Sequence, residues 1–293
     1  MGTGSGSAEL NTVPPRPGAS QRAQLRLRRR MRDVEDRWAI RTDPSYRRLA
    51  STYELPDGSR RVYCHHIRKT AGTSLFLSFM ALGGEDPVDV WRRITSSRLP
   101  RTTSGGYSFA SNHQRLLAEG AYFFGRSHRS VADQPLPPRT HTVTILRDPV
   151  RRVHSYFDYL VAGDAPDAPG RVADRERRMA LDGFDAFLDQ VPDEDLLNQV
   201  AMFSKRLEVT EAVDRIAACS SVLFAEDFTG GLTALGERLE LPLEPLRARV
   251  TGSRSSLTPG QSERLQGRLE PEYELLRRLD AGGIKRAGPT TPP

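Results

Sequence analysis

The sequence predicts an α/β protein: a mainly parallel central sheet flanked by helices, with a helical C-terminal part. Three observations carry this. Short β-branched runs, clearest in His141–Leu146 (HTVTIL), alternate with stretches of helical periodicity, the pattern of a parallel sheet with crossover helices. Two strand-to-helix junctions stand out, and at one of them Asp148-Pro149 supplies an N-cap followed by proline at the first helical position. The 293 residues, 37% hydrophobic and 27% charged, suffice to bury one sizeable core.

Taken in order, residues 1–20 are rich in Gly, Ser and Pro and read as a disordered tail. Residues 21–59 read as a basic helical arm, with six arginines from Arg22 to Arg32 and a partial apolar stripe through Met31, Val34 and Trp38. Such a helix either touches a membrane or nucleic acid or is a solvated arm packed on the domain by Met31 and Trp38; the second reading is preferred. The main domain spans 60–282. It starts with a strand over Arg61–Ile67, rich in extended formers, and a helix over Thr73–Leu82 closed by Gly83-Gly84. A short strand at Ala121–Gly125 and the strand His141–Leu146 follow, then a helix from Pro149 to about Val161 and a loop over 163–172. Helices are expected near 183–190, 194–204 and 208–218, a strand at 221–225, and helices near 229–240 and 259–280. Segments 85–120 and 163–182 show no recognisable pattern. Residues 283–293 read as a second disordered tail.

The net charge of +6 is unevenly placed. Residues 1–48 hold 11 basic and 5 acidic side chains, and the remainder holds 32 of each sign. Basicity therefore belongs to the N-terminal segment, and nucleic-acid binding by a basic domain face is not expected. The absence of an apolar run of membrane-spanning length or of a secretory leader pattern points to a soluble cytoplasmic protein without a membrane span. Cys64 and Cys219 lie too far apart for a disulfide scaffold or a cysteine zinc site, and burial is expected for both.

Chemistry concentrates in two blocks. The first, His66-Ile67-Arg68-Lys69-Thr70-Ala71-Gly72-Thr73-Ser74-Leu75, lies between a strand and a helix. A turn of this kind aims backbone N–H groups and a helix N-terminus at one point, which favours an anion. Lys69 adds charge, Thr70, Thr73 and Ser74 add hydroxyls, and Gly72 permits close backbone approach. It is not a Walker A loop, since the lysine precedes the glycine. The same residues also read as a Thr/Ser-rich helix cap with an incidental lysine. The second block, Leu146-Arg147-Asp148-Pro149-Val150-Arg151-Arg152-Val153-His154-Ser155-Tyr156, puts Arg147 at a strand's carboxyl end, where open α/β sheets bind ligands. Arg147 with Ser155 suits a second phosphate; taken alone, the pair equally describes a structural ion pair and one more helix residue.

Together, H-I-x-K-T-A-G-T-S-L and L-R-D-P-V-x-R-V-x-S-Y resemble the sulfotransferase family that includes heparan sulfate 2-O-sulfotransferase and its bacterial relatives, over roughly residues 60–280. The resemblance implies a single P-loop-type domain that uses 3′-phosphoadenosine 5′-phosphosulfate (PAPS) and releases 3′,5′-bisphosphoadenosine. By position, Arg68, Lys69, Thr70, Ala71, Gly72, Thr73 and Ser74 would hold the 5′ side of the cofactor, with Lys69 also stabilising charge during transfer. Arg147 and Ser155 would hold the 3′-phosphate. Arg68 departs from the proline usual there. The acceptor would be a small-molecule or glycan hydroxyl, and no metal is implied. The family's general-base histidine matches His128, within Phe124-Gly125-Arg126-Ser127-His128-Arg129, where Arg126 and Ser127 depart from the usual flanks. Histidine suits the task because it titrates near neutral pH; read without the resemblance, His128 is also an ordinary loop histidine. A weaker likeness over Leu197–Ser204 lacks the family's arginine and is read as core helix. The alternatives carried are a kinase-like phosphotransferase, for which Asp148 is the strand-end carboxylate, and a non-catalytic binding protein that uses the basic arm.

Overall fold

A computed structural model describes residues 31, 34–162, 174–246 and 256–284. The expected tail over 1–20, the loop at 163–172 and nearly all of the arginine-rich stretch fall outside them. Met1–Asp43 and Pro44–Pro293 are separate units. In the first, residues 34–42 form helix α1. Met31 and Trp38, expected to be covered, are 56% and 70% exposed.

The second unit opens with α2 (Pro44–Thr52), β1 (Arg61–His65), α3 (Gly72–Ala81) and α4 (Pro87–Ser96). An antiparallel hairpin follows, β2 (Arg101–Ser104) and β3 (Tyr107–Ser111), then α5 (Gln114–Glu119), β4 (Phe124–Ser127), β5 (Thr140–Leu146) and α6 (Pro149–Ala162). Helices α7 (Asp174–Leu181), α8 (Phe184–Gln190), α9 (Asp193–Leu196), α10 (Asn198–Phe203) and α11 (Val209–Ala217) lead to β6 (Ser221–Phe224). The described chain ends with α12 (Phe228–Leu239), α13 (Pro259–Arg268) and α14 (Glu270–Ala281). No helix among the described residues is long and apolar enough to cross a membrane.

The six strands form one sheet in the order β2-β3-β4-β1-β5-β6. Only β2 and β3 pair antiparallel; every other neighbouring pair is parallel. Period-two alternation assigns the faces. Val143, Ile145 and Leu223 join Phe76, Phe79 and Trp91 of α3 and α4 in one core cluster, while Leu146 and Phe224 join Phe203, Ile216 and Leu275 in another. A third cluster packs α6, α7 and α8 together through Phe157, Phe184 and Phe187.

Several expected elements are displaced. The strand expected at Ala121–Gly125 runs instead over Phe124–Ser127, where its residues pair with both β1 and β3. The helix expected over 194–204 is broken at Leu197 (ψ 42°), and that over 259–280 is broken at Leu269, just before Pro271 near the start of α14. The unpatterned stretch 85–120 holds α4, capped by Asp86 with Pro87 behind it, and the hairpin, whose turn residues Gly105 and Gly106 both take positive φ. Both signals were present in the sequence. Upstream of residue 60, Leu55 is buried in the first cluster and the Tyr53 hydroxyl donates to the Gly106 carbonyl at 2.9 Å.

Candidate functional site

From β1 the chain moves through α3 and α4 toward the β2–β4 side of the sheet, and from β5 it moves through α6 to α11 toward β6. The carboxyl ends of β1 and β5 are adjacent, and their connections diverge, which leaves a crevice between the two loops. Both sequence blocks begin there.

The loop after β1 is a strained backbone cup. Lys69 and Ala71 hold φ of 66° and 69° although neither is glycine. Left-handed residues alternating with ordinary ones turn successive N–H groups inward, an anion-binding geometry. Helix α3 follows with no side-chain cap and no acidic residue in its first turn, so its first N–H groups are not capped by a side chain. The loop hydroxyls are unequal. Thr70, expected to serve a ligand, donates to the Ile67 carbonyl at 3.0 Å and closes the loop instead. Ser74 is buried near the start of α3, and Thr73 lies in its first turn. Gly72 is needed for a reason the sequence did not show. A Cβ there would overlap the His66 imidazole at Cδ2 and Nε2.

Arg68 anchors the loop. Its N–H donates to Asn198 Oδ1 at 3.0 Å, and its guanidinium reaches the Tyr156 hydroxyl at 3.2 Å and the Asp195 carboxylate at 3.4 Å. The Lys69 ammonium lies 4.5 Å over the Tyr159 ring. Tyr156 and Tyr159 thus turn one ridge of α6 toward the loop, and half-buried Ser155, four residues before Tyr159, shares it. Arg147 joins the two blocks, since its Nη1 donates to the Lys69 carbonyl at 2.9 Å.

Asn198 and Gln199, in the segment read as core helix, hold one block each. Gln199 Oε1 accepts from Arg147 N–H at 2.8 Å, and Nε2 donates to the Arg147 carbonyl at 3.0 Å and to Glu272 Oε2 at 2.9 Å. Glu272, brought in by α14, pairs with Arg152 at 3.0 Å, both side chains fully buried. Val200, Met202 and Phe203 are core, as expected. The break at Leu197 turns Asn198 and Gln199 out of that pattern.

His128 follows β4 directly. Its Nδ1–H donates to the His66 carbonyl at 2.7 Å, which leaves Nε2 as the acceptor nitrogen of the neutral ring. The two imidazoles lie 4.2 Å apart between centroids. Burial, and then the Arg126 charge, pushes the pKa of His128 down to about 4. The residue retains an exposed surface, so desolvation acts on the inner edge of the ring and the Arg126 field supports the downward direction. His128 is a neutral imidazole at neutral pH. Three of the other histidines pair elsewhere. His113 Nδ1 caps α5, accepting from Leu116 N–H at 3.2 Å. His141 bridges Asp57 at 2.6 Å and Ser221 at 2.9 Å. His65 lies in β1, and His154 lies 3.8 Å from Asp158.

Arg126, noted in the sequence only as an unusual flank of His128, has a larger place in the structure. It is 3% exposed, its guanidinium carbon lies 4.2 Å over Trp91 and 4.6 Å over Phe76, and Nη1 donates to His66 Nδ1 at 3.0 Å. No carboxylate pairs with it among the described residues, and neither its Nε nor Trp91 Nε1 has a partner. Burial pulls its pKa down to about 9, which leaves it cationic at neutral pH. Arg92 and Arg93, by contrast, pair with Asp89 and Glu85 on the surface.

Asp148 caps α6, with its Oδ1 accepting from Arg151 N–H at 2.9 Å. No group of three or more His, Cys, Asp or Glu gathers among the described residues. Burial pushes the Cys64 and Cys219 thiols up to about 12, so neither is a ready nucleophile. Neither a scan against protein-family models nor a search of curated proteins finds a match for this chain.

Proposed function

We propose that this chain is a sulfotransferase with a P-loop-type βα unit, moving a sulfuryl group from PAPS to a hydroxyl of a carbohydrate or small hydroxylated acceptor. One observation carries the reading: Arg147 of the second block reaches the Lys69 carbonyl of the first, so two ligand loops meet at one crevice, with His128 at the neighbouring strand end. The uncapped start of α3, the left-handed loop residues and the surrounding cations fit a doubly phosphorylated nucleotide.

Lys69, Gly72, Thr73 and Ser74, with the N–H groups of the loop, would hold the 5′ side, and Arg147 and Ser155 the 3′-phosphate. PAPS, when bound, supplies a sulfuryl group activated by its attachment to phosphate. His128 receives the acceptor's hydroxyl proton at Nε2, while Nδ1–H on the His66 carbonyl fixes the ring. Lys69 and the N–H groups at the start of α3 offset charge that develops on transfer.

The test is transfer from labelled PAPS to a panel of sugars and small hydroxylated compounds, in excess EDTA. Turnover in EDTA, together with metal-independent binding of 3′,5′-bisphosphoadenosine, is expected. Binding of ATP with magnesium in place of bisphosphoadenosine would overturn the reading in favour of phosphoryl transfer.

A further inference from the structure

His66 has no part in the proposal above beyond its backbone carbonyl, yet its side chain occupies the centre of the site. It is 6% exposed, lies tilted by 31° against the His128 ring, and presses its Cδ2–Nε2 edge against Gly72, the first residue of α3. Its Nδ1 faces Arg126 Nη1 at 3.0 Å. A guanidinium only donates, so Nδ1 must accept, and the ring proton of a neutral His66 resides on Nε2. Among the described residues nothing accepts from that Nε2–H.

We propose that Arg126 locks His66 in its Nε2–H tautomer, making the buried imidazole a hydrogen-bond donor to a phosphoryl or sulfuryl oxyanion at the N-terminus of α3. The inference rests on the oxyanion reading of this crevice and adds a ligand contact to it. The placement supports the role from two sides. The first N–H groups of α3 have no side-chain cap, and a donor more than nine-tenths buried lies against the first residue of that helix. The charges that bear on His66 are Arg126 from β4, Lys69 and Arg68 from its own loop, and the neighbouring His128; burial and these charges hold its pKa well below the usual histidine range. An imidazolium would be repelled by Arg126, Lys69 and Arg68, of which Arg68 is paired with Asp195, so the donor stays neutral. The Nε2–H, unlike a lysine, offers one direction. Arg126 is a positioning residue in this scheme, because it acts through His66.

The test is ring-nitrogen NMR of the full chain labelled with 15N-histidine, with the His66 signals assigned by comparison with His66→Gln. In the ligand-free protein His66 is expected to show a protonated Nε2 and a bare Nδ1, unchanged from pH 6 to 8, while His128 shows the reverse pattern. Inorganic pyrophosphate and 3′,5′-bisphosphoadenosine serve as probes, and saturation with either should shift the His66 Nε2–H resonance. His66→Leu should bind the probes at least about tenfold more weakly, the loss of a hydrogen bond to a charged group, and His66→Gln, which keeps an amide donor, should recover most of that. Arg126→Met should scramble the tautomer and Arg126→Lys should preserve it. A wild-type His66 protonated at Nδ1, or an Nε2–H signal that neither probe moves, would overturn the proposal, and both readings come from the unmutated protein. If pyrophosphate shifts His66 while bisphosphoadenosine does not bind, the inference stands and the sulfotransferase reading falls.

Discussion

Replacing Gln199 by Leu tests whether the second block is held in place from the C-terminal helices. The side chain is fully buried. The substitution keeps roughly the same bulk but deletes three hydrogen bonds, two to the Arg147 backbone and one to Glu272. The Arg147 groups are part-buried, so leaving each unpaired costs about 1 kcal/mol, whereas the wholly buried Glu272 carboxylate loses a charge-assisted contact that contributes about 1.5–3 kcal/mol. Leucine offsets about 1 kcal/mol by burying apolar surface. The net expectation is a loss of about 3 kcal/mol, a large share of a typical folding stability of roughly 5–15 kcal/mol. For a domain of this size it lowers Tm by about 6–12 °C. Urea denaturation gives the free energy, and calorimetric titration with 3′,5′-bisphosphoadenosine gives the effect on the site. Because the clamp fixes the backbone from which Arg147 reaches Lys69, affinity should fall along with stability. A loss below about 1 kcal/mol with unchanged affinity would refute the reasoning and leave Gln199 an ordinary buried amide.

Other perturbations address separate features. Arg147→Ala should weaken bisphosphoadenosine tenfold or more, as expected for a charge-assisted contact, and more than it weakens adenosine 5′-phosphosulfate; equal losses in calorimetry would remove Arg147 from the 3′-phosphate. His128→Ala should slow the chemical step by about 10²–10⁴ with cofactor affinity near normal. The wild-type rate should be flat from pH 6 to 8 and fall only toward pH 4, where His128 gains its proton; an acid limb that persists unchanged in the alanine variant would contradict the assignment. Stability itself should fall as pH drops from about 6.5 toward 4. The folded pKa of His65 is pushed down by burial to about 4, so across that window the unfolded chain binds the extra proton, a penalty of up to ~3 kcal/mol. His66 and His128 are held low as well, so His65→Gln should lessen the pH dependence of the urea midpoint without abolishing it, and an unaltered slope would place the effect elsewhere.

Much of the fold was legible because its signals are local. The uninterrupted β-branching of Thr142–Ile145, Asp148 and Pro149 at the start of α6, and Gly83-Gly84 after α3 each act within a few residues and needed no partner to be read. The Gly105-Gly106 turn and the Asp86-Pro87 cap were equally local and were overlooked in a stretch of weak hydrophobic patterning. The strand at Phe124–Ser127 was misplaced because the preceding Ala121-Tyr122-Phe123 is as apolar as the strand itself. What separates them is pairing with β1 and β3, a property of the neighbours.

The candidate site divides the same way. The sequence by itself determined two anion-suited junctions, because a strand end, a small-residue turn and a helix start are encoded in about ten consecutive residues each. His128 came forward only through the family resemblance. Only the tertiary structure decided how these groups serve one another: Arg147 on the Lys69 carbonyl across 78 residues, Glu272 under Arg152 across 120, and Arg126 on His66 across 60. It reassigned the Thr70 hydroxyl to its own loop and tied Gly72 to the His66 ring. Which nitrogen of a histidine carries the proton, and which buried cation lacks a carboxylate, depend on strand order and register. Those are set by packing of the whole domain, and no short stretch of sequence holds them.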